Sequence, residues 1–382
     1  MRPTIAKIYL SNLKHNINEI QAHLASGTKV CVAVKADAYG HGAVQCAKEA
    51  VACGASFLAV AAVLEGAELR ESGISVPILV LSLCSPEEMD ELVEYDLTPL
   101  VFDKEYIDEV AEAVKKSGKK SYSVHLAVDT GMGRIGCLPE DAAAEAVHIA
   151  SKKELALGGV CTHFAAADSV KNEDREYTKL QFSRFMMAVE SIKKAGINPG
   201  IRHCASSAAL LDCPEMQLDM VRPGIIVYGY YPGDMTEKYF MQNGNAVSLR
   251  PVMALVTHIA AVRPFVSGAS VSYGRTWTAS EQTDIGVLPV GYADGLLRRF
   301  APGLNVAVNG KAYPVRGRIC MDQCMIDLGK KSGIPRWSEV VIFGPKESGA
   351  LQTAQELADA IKTISYEITC AVAKRVPRVY IG

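Results

Sequence analysis

Residues 30–42 read VCVAVKADAYGHG, an apolar run that ends in Lys35 and is followed four residues later by Tyr39. Lysine is rarely buried without a partner, so this amine either reaches solvent as the run stops or has chemistry to perform. Taken alone, these residues leave both readings open. Other reactive groups stand at comparable places: Arg134 after the run 122–128, His163 after 156–162, Ser206 and Ser207 after 200–205, and Arg222 at the end of 217–222. An amine, two guanidinium groups, an imidazole and hydroxyls at the ends of successive apolar runs suit an anionic ligand. A phosphate fits, because SSAALL opens a short helix with Ser207 as a donor and Gly224-Ile225 offers bare backbone N–H groups. Each feature by itself is an ordinary cap or turn. An amine beside a phosphate site is what pyridoxal phosphate requires: the amine condenses with the aldehyde, and the ring accepts electrons from a substrate α-carbon. Lys35 then need not be a solvated ammonium, and Tyr39 is close enough to reach back to the phosphate.

These groups converge only if the runs that carry them are parallel strands opening at one mouth. Strand-like runs fall at 29–34, 57–61, 78–82, 97–101, 122–128, 156–162, 200–205 and 217–222. Amphipathic stretches such as 103–118 and 174–196 lie between them, with acidic starts and basic residues then glycine at their ends. Eight such units in succession predict an α/β fold, an N-terminal (β/α)8 TIM-type barrel, with a doubly wound open sheet as the alternative. After QNGN (242–245) the character changes to Val-, Ile- and Thr-rich runs at 252–263, 285–290 and 305–309, joined by Gly- and Pro-bearing turns. The expected organisation is therefore a barrel over 12–241 and a C-terminal mainly-β domain over 242–382. The piece IAKIYL, within residues 1–11, is a candidate strand of the second domain. One helix, 353–364, interrupts the β domain, and Thr353 and Glu356 are spaced as a capping box.

The bulk properties narrow the function class. The chain has 382 residues, 49% of them hydrophobic and 21% charged, with a net charge of -2. That balance gives no electrostatic argument for nucleic acid or an anionic membrane. No apolar run approaches the roughly 18 residues of a spanning helix. The start, MRPTIAKIYLSNLKHNI, is too polar for a secretory signal. Eleven cysteines are scattered without a C-x-x-C pair, which suits free thiols in a reducing cytosol and no metal site. A cytoplasmic protein is expected.

One motif points elsewhere. GMGRIG (131–136) is a literal G-x-G-x-x-G with Glu154 further on. A dinucleotide site needs those glycines in the turn entering a helix. Here Arg134 interrupts them, the motif follows the fifth strand, and Pro139 looks like the first residue of a later helix.

The motifs VAVKADAYGHG, VDTGMGRIG, VCTHFAAAD, ASSAALL, VRPGIIVYG, SYGRTW, LPVGYADG, GRICMDQCMIDL and SYEITC with RVPR behind it resemble, in order and over almost the whole chain, those of alanine racemases. The resemblance implies a head-to-tail homodimer with shared sites, bearing pyridoxal 5'-phosphate and supplying D-alanine for peptidoglycan. It implies that Lys35 carries the cofactor and acts as the base on one face of the substrate. A second base is needed on the opposite face, and Tyr273 of the other subunit matches it. A free tyrosine has a pKa of about 10, so such a base needs cationic neighbours. Arg222 matches the partner of the pyridine nitrogen, with His163 linking it towards Tyr273. Tyr39, Ser207, Gly224, Ile225 and Tyr366 match phosphate ligands, and Arg134 matches the group contacting cofactor phenolate and substrate carboxylate. Met321 and Asp322 match residues lining the site from the partner, while Asp168, Arg298 and Arg318 match an entrance gate. One departure stands out. The family commonly has a carbamylated lysine seven residues before the motif arginine, where this chain has Ala127; a chloride or a water beside Arg134 is expected to fill the gap.

Three rival readings share parts of this pattern. A decarboxylase of similar architecture should pair the pyridine nitrogen with a carboxylate, against Arg222. A serine or broad-specificity racemase uses the same proton chemistry, and methyl against hydroxymethyl is worth only ~1–3 kcal/mol in such a pocket. A non-enzymatic pyridoxal-phosphate-binding protein would need Lys35 but neither the second domain nor Tyr273.

Overall fold

The computed structural model of the chain describes residues 2–301 and 303–382. Eight parallel strands form the first layer: Lys29–Ala33, Phe57–Val60, Ile78–Val80, Thr98–Val101, Tyr122–Ala127, Leu155–Cys161, Ile201–His203 and Met220–Val221. The eighth returns to the first, with Met220 opposite Lys29 and Val221 opposite Val30. Between the seventh and eighth, the ring is completed by a Ser206–Arg222 bridge and by the Arg222 N–H donating to Ala205 O at 2.9 Å. The barrel expected from the sequence is present. The last two runs, 200–205 and 217–222, supply only three and two residues of regular strand. Beyond these strands, Ser206, Ser207 and Arg222 line the site.

The helices follow from local chemistry. Lys104–Ser117 starts because the Asp103 side chain accepts the Tyr106 N–H at 2.8 Å, and stops at Gly118, where φ is +74°. Its Ile107, Val110 and Val114 fall on one face and are buried, each contributing ~1.5–3 kcal/mol against exposure. The long stretch read as 174–196 forms a helix over Asn172–Lys194.

The second layer is a nine-stranded sheet whose members include Met253–His258, Thr283–Leu288, Asn305–Val308 and Arg378–Ile381. Strand Ile5–Tyr9 lies inside it, antiparallel to Met253–His258 and parallel to Arg378–Ile381. The run 252–263 is two strands rather than one. At Ile259 the chain changes partners, its N–H donating to Ser338 O while the next N–H, of Ala260, donates to Val287 O. The capping box at Thr353 is formed, but the helix spans only Ala354–Ala360. Lys362 adopts φ +57°, and the N–H groups of Lys362 and Thr363 fold back onto Asp359 O and Ala358 O. This left-handed cap ends the helix without a glycine, and a separate helix, Ser365–Cys370, turns back towards the barrel.

Candidate active site

The C-terminal mouth of the barrel encloses a cavity of about 600 Å³, and its wall begins with Lys35. Directly after the lysine, Ala36, Asp37, Ala38 and Tyr39 all have φ between 52° and 54°, a full left-handed turn without glycine. Such a conformation costs roughly 1–2 kcal/mol per residue, so it persists only where neighbours hold it. Glu65 Oε1 accepts the Ala36 N–H at 2.6 Å, and Asp37 Oδ1 accepts the Ala43 N–H at 2.7 Å. His41 Nδ1 donates to the carbonyls of Ala38 (2.9 Å) and Tyr39 (3.0 Å), and Arg378 Nε donates to Gly40 O at 3.0 Å. The turn swings Tyr39 round to the same cavity as Lys35. Burial, reinforced by the Arg134 guanidinium, holds the Lys35 amine below the ordinary lysine range.

Opposite the amine lies a narrow cradle. The Gly224 N–H donates to Ser207 Oγ at 3.0 Å. A Cβ on Gly224 would sit 2.6 Å from Tyr39 Oη, so a larger residue there would displace the phenol. Ile225 and Tyr366 line the same end. Burial raises the phenols of Tyr39 and Tyr366, which favours them as neutral donors.

Arg222 is 7% exposed and almost fully committed. Nη1 donates to His203 O (2.9 Å) and His203 Nδ1 (2.8 Å), and Nη2 donates to Thr162 O at 2.8 Å. Its approach to His163 Nδ1 is longer, 3.4 Å. Among the described residues nothing accepts from Nε, which is left for a ligand in the cavity. Burial and the Arg222 charge bring His163 down to about 3, so this imidazole is neutral.

Arg134 and Asp168 also line the cavity. Beside Arg134, Ala127 packs with Leu100, Cys161 and Ile135 in an apolar wall, and among the described residues nothing accepts from the Arg134 guanidinium. The glycine-rich motif around it is occupied in another way: Asp129 Oδ1 accepts the N–H groups of Gly131, Met132 and Gly133 at 2.9, 2.9 and 3.1 Å. A carboxylate already fills the amide nest that a pyrophosphate would need. The following helix is Ala142–Ser151, so Pro139 stands in the preceding turn and not at the helix start.

Five predicted residues lie elsewhere. Tyr273, 71% exposed, and Met321, 53% exposed, belong to the second layer with Arg298, Arg318 and Asp322, and none of them lines the cavity of its own chain. Ser272 (φ +66°) donates from Oγ to Arg318 O at 2.6 Å, tying the Tyr273 turn to the segment leading to Met321. Asp322 accepts from Arg375 Nη2 at 2.7 Å, and Arg375 Nε donates to the buried Asp294 at 2.8 Å. The candidate residues thus form two separate sets, one lining the barrel cavity and one exposed outside it.

Residues 8–232 match the family model for the alanine racemase N-terminal domain, and residues 252–380 match that for the alanine racemase C-terminal domain. The chain belongs to the alanine racemase family. It is 50% identical to the alanine racemase of Treponema denticola, over 100% of this chain and 99% of that one, and 45% identical to that of Treponema pallidum over 98% of each. Its fold is similar to the solved alanine racemase of Clostridium difficile 630, with a TM-score of 0.92 at 38% identity, covering 100% of this chain and 96% of that one. The Bacillus anthracis alanine racemase solved with bound L-Ala-P gives 0.91 at 34% identity, with the same coverage. As an alanine racemase the chain is an isomerase, which removes the dehydrogenase reading of GMGRIG. Motif reading missed Glu65, Asp129, His125 and His203. Glu65 looked like an ordinary first-turn glutamate, and the two histidines sit inside the barrel strands, where sequence alone does not pair them.

Proposed function

We propose that this racemase interconverts L- and D-alanine with pyridoxal phosphate on Lys35, and that two copies of the chain share each site. What supports the cofactor is the lining of one cavity: the Lys35 amine, the uncommitted Arg222 Nε–H, and the Ser207–Gly224–Tyr39 cradle. When bound, the group supplies an aldehyde for amines to condense with and a ring that takes up the electron pair left when the α-proton departs. Arg222 would donate from Nε to the ring nitrogen, and because arginine keeps its proton, that nitrogen stays unprotonated. Tyr39, Ser207 and the N–H groups at Gly224 and Ile225 would hold the phosphate, with Tyr366 closing that end. Arg134 would orient the phenolate and the substrate carboxylate.

Lys35 Nζ holds the α-proton on one face of the substrate, and its lowered pKa enlarges the neutral, basic fraction near pH 7. A base returning its own proton regenerates the same enantiomer, so inversion needs a second acceptor on the other face. Tyr273 of the partner subunit is our assignment, with Met321 and Asp322 lining the site and Asp168, Arg298 and Arg318 guarding its entrance. Its support is the division of the candidates into a set that lines the cavity and an exposed set that does not. In the same reading the barrel unit spans 12–241 and the β unit 242–382, joined by residues 1–11, and the enzyme works in the cytoplasm. A chloride or water beside Arg134 completes the site, supported by the apolar wall at Ala127 and by a guanidinium from which no described residue accepts. No helix among the described residues is long and apolar enough to cross a membrane.

Running the reaction in deuterium oxide from each enantiomer of alanine tests the reading. Deuterium is expected at the α-carbon of the product from either direction, and racemisation that retains the original proton throughout contradicts two separate bases.

A further inference from the structure

We propose that Glu65 is a positioning residue: its carboxylate locks the left-handed turn behind Lys35 and fixes the direction in which the amine enters the cavity. This rests on the reading of Lys35 as the cofactor-bearing amine. A glutamate in the first turn of a helix ordinarily caps only its own N-terminus. Glu65 Oε2 does that, accepting the N–H groups of Ala61 (2.8 Å) and Ala62 (3.2 Å). Its Oε1 turns away to the Ala36 N–H at 2.6 Å, 29 residues earlier in the chain. One carboxylate therefore joins the end of the second barrel strand to the residue directly after Lys35.

The joint matters because it opens a strained turn. Four consecutive residues with positive φ have no glycine among them, and the far end of the turn is held by His41 and Arg378. At the near end, Glu65 is the side chain that accepts from the turn. The helix carrying it, Val63–Glu71, packs closely against the barrel, since a Cβ on Gly66 would lie 2.6 Å from Leu97 Cδ1. The carboxylate also opposes the effects of burial and Arg134 on the neighbouring amine. Glu65 touches neither substrate nor reacting atoms; it acts through the backbone of Ala36.

The test tracks Lys35 directly. Apoprotein is mixed with pyridoxal phosphate, samples are quenched with borohydride over time, and pyridoxyl label on the Lys35 peptide is counted by mass spectrometry. Glu65→Gln keeps the size and loses the charge; Glu65→Asp keeps the charge and loses the reach. Both should slow labelling of Lys35 at least tenfold while the fold is retained, and only Glu65→Gln should also move the labelling midpoint to lower pH. Hydrogen exchange of the 35–40 segment should be at least tenfold faster in both variants, with the 104–117 helix unchanged. A simple capping role would lower thermal stability yet leave the labelling rate and its pH midpoint where they were, and that result overturns the proposal. Should wild-type label fall on a lysine other than Lys35, the cofactor assignment fails, and the exchange data still decide whether Glu65 holds the turn. If neither variant folds, an Ala36 amide as unprotected in the wild type as in an unstructured peptide overturns it.

Discussion

Arg222 donates through Nη1 to Nδ1 of His203 at 2.8 Å, and Nε2 of His203 stands 2.8 Å from Nδ1 of His125. Since the guanidinium keeps its protons, His203 Nδ1 is the acceptor, and the neutral ring bears its hydrogen on Nε2 and donates onward to His125. Burial, with the Arg222 charge, takes His203 well below the ordinary histidine range and His125 down to about 3. The column behind Arg222 is thus proton-ordered and uncharged, and it sets the guanidinium plane that leaves Nε free.

Arg222→Gln should therefore lower kcat by ~10²–10³, roughly 3–4 kcal/mol of lost transition-state stabilisation. Racemisation of L-alanine followed by circular dichroism measures it. A kcat within twofold of wild type contradicts the role given to Arg222.

Lys35→Ala should abolish both the visible absorbance of the bound cofactor and racemisation. Tyr273→Phe should keep the absorbance and lose ~10²–10⁴ in rate, roughly 3–5 kcal/mol. Mixing the two inactive variants under subunit exchange offers a sharper measurement. In a shared-site dimer each mixed pair holds one site with both bases intact, so activity should return to about a quarter of wild type. No recovery despite demonstrated exchange would remove Tyr273 of the partner from the mechanism.

Halide bears on the gap at Ala127. If chloride sits beside Arg134, its replacement by a large non-coordinating anion should raise KM for alanine several-fold with little change in kcat, because Arg134 is assigned to the substrate carboxylate. Bromide-soaked crystals should show anomalous density within reach of Arg134. Turnover indifferent to halide, with no such density, leaves water as the occupant.

Acid should weaken the protein through His41, which is fully buried, stacks on Tyr228 at 4.6 Å between ring centroids, and is lowered by burial to about 4. A folded-state value below the unfolded one of about 6.5 means that the unfolded chain binds the extra proton first. The stabilisation is present above pH 6.5 and lost as pH falls towards 4. The difference in unfolding free energy between wild type and His41→Gln should shrink by about 2 kcal/mol between pH 7.5 and pH 5. Denaturant titrations at the two values measure it, and a constant difference contradicts a neutral buried His41.

Much of the barrel was legible because strand and helix periodicity is local. Asp103 and Gly118 announce a helix between them, and Lys35, His163 and Arg222 stand out because a charged or titratable group closing an apolar run is unusual. The left-handed turn was not legible. Ala36, Asp37, Ala38 and Tyr39 are ordinary residues, and their conformation is imposed by Glu65, His41 and Arg378, whose approach depends on tertiary packing. The divided strand at 252–263 was illegible for the same reason: Thr257 and His258 before the break are ordinary strand residues, and the break lies in which neighbours the two halves meet. His125 and His203 gave no sign, since alternate strand residues point into the barrel and nothing nearby in the chain marks them.

The strands on either side of Ile5–Tyr9, Met253–His258 and Arg378–Ile381, are synthesised more than two hundred residues after it. Throughout elongation its edge lies bare, a ready template for a strand from another nascent chain. Translation speed and chaperone supply should therefore govern the yield of this protein more than its finished stability does, and a circular permutant opened in the 242–245 connection, which makes the sheet segments first, should aggregate less when overproduced.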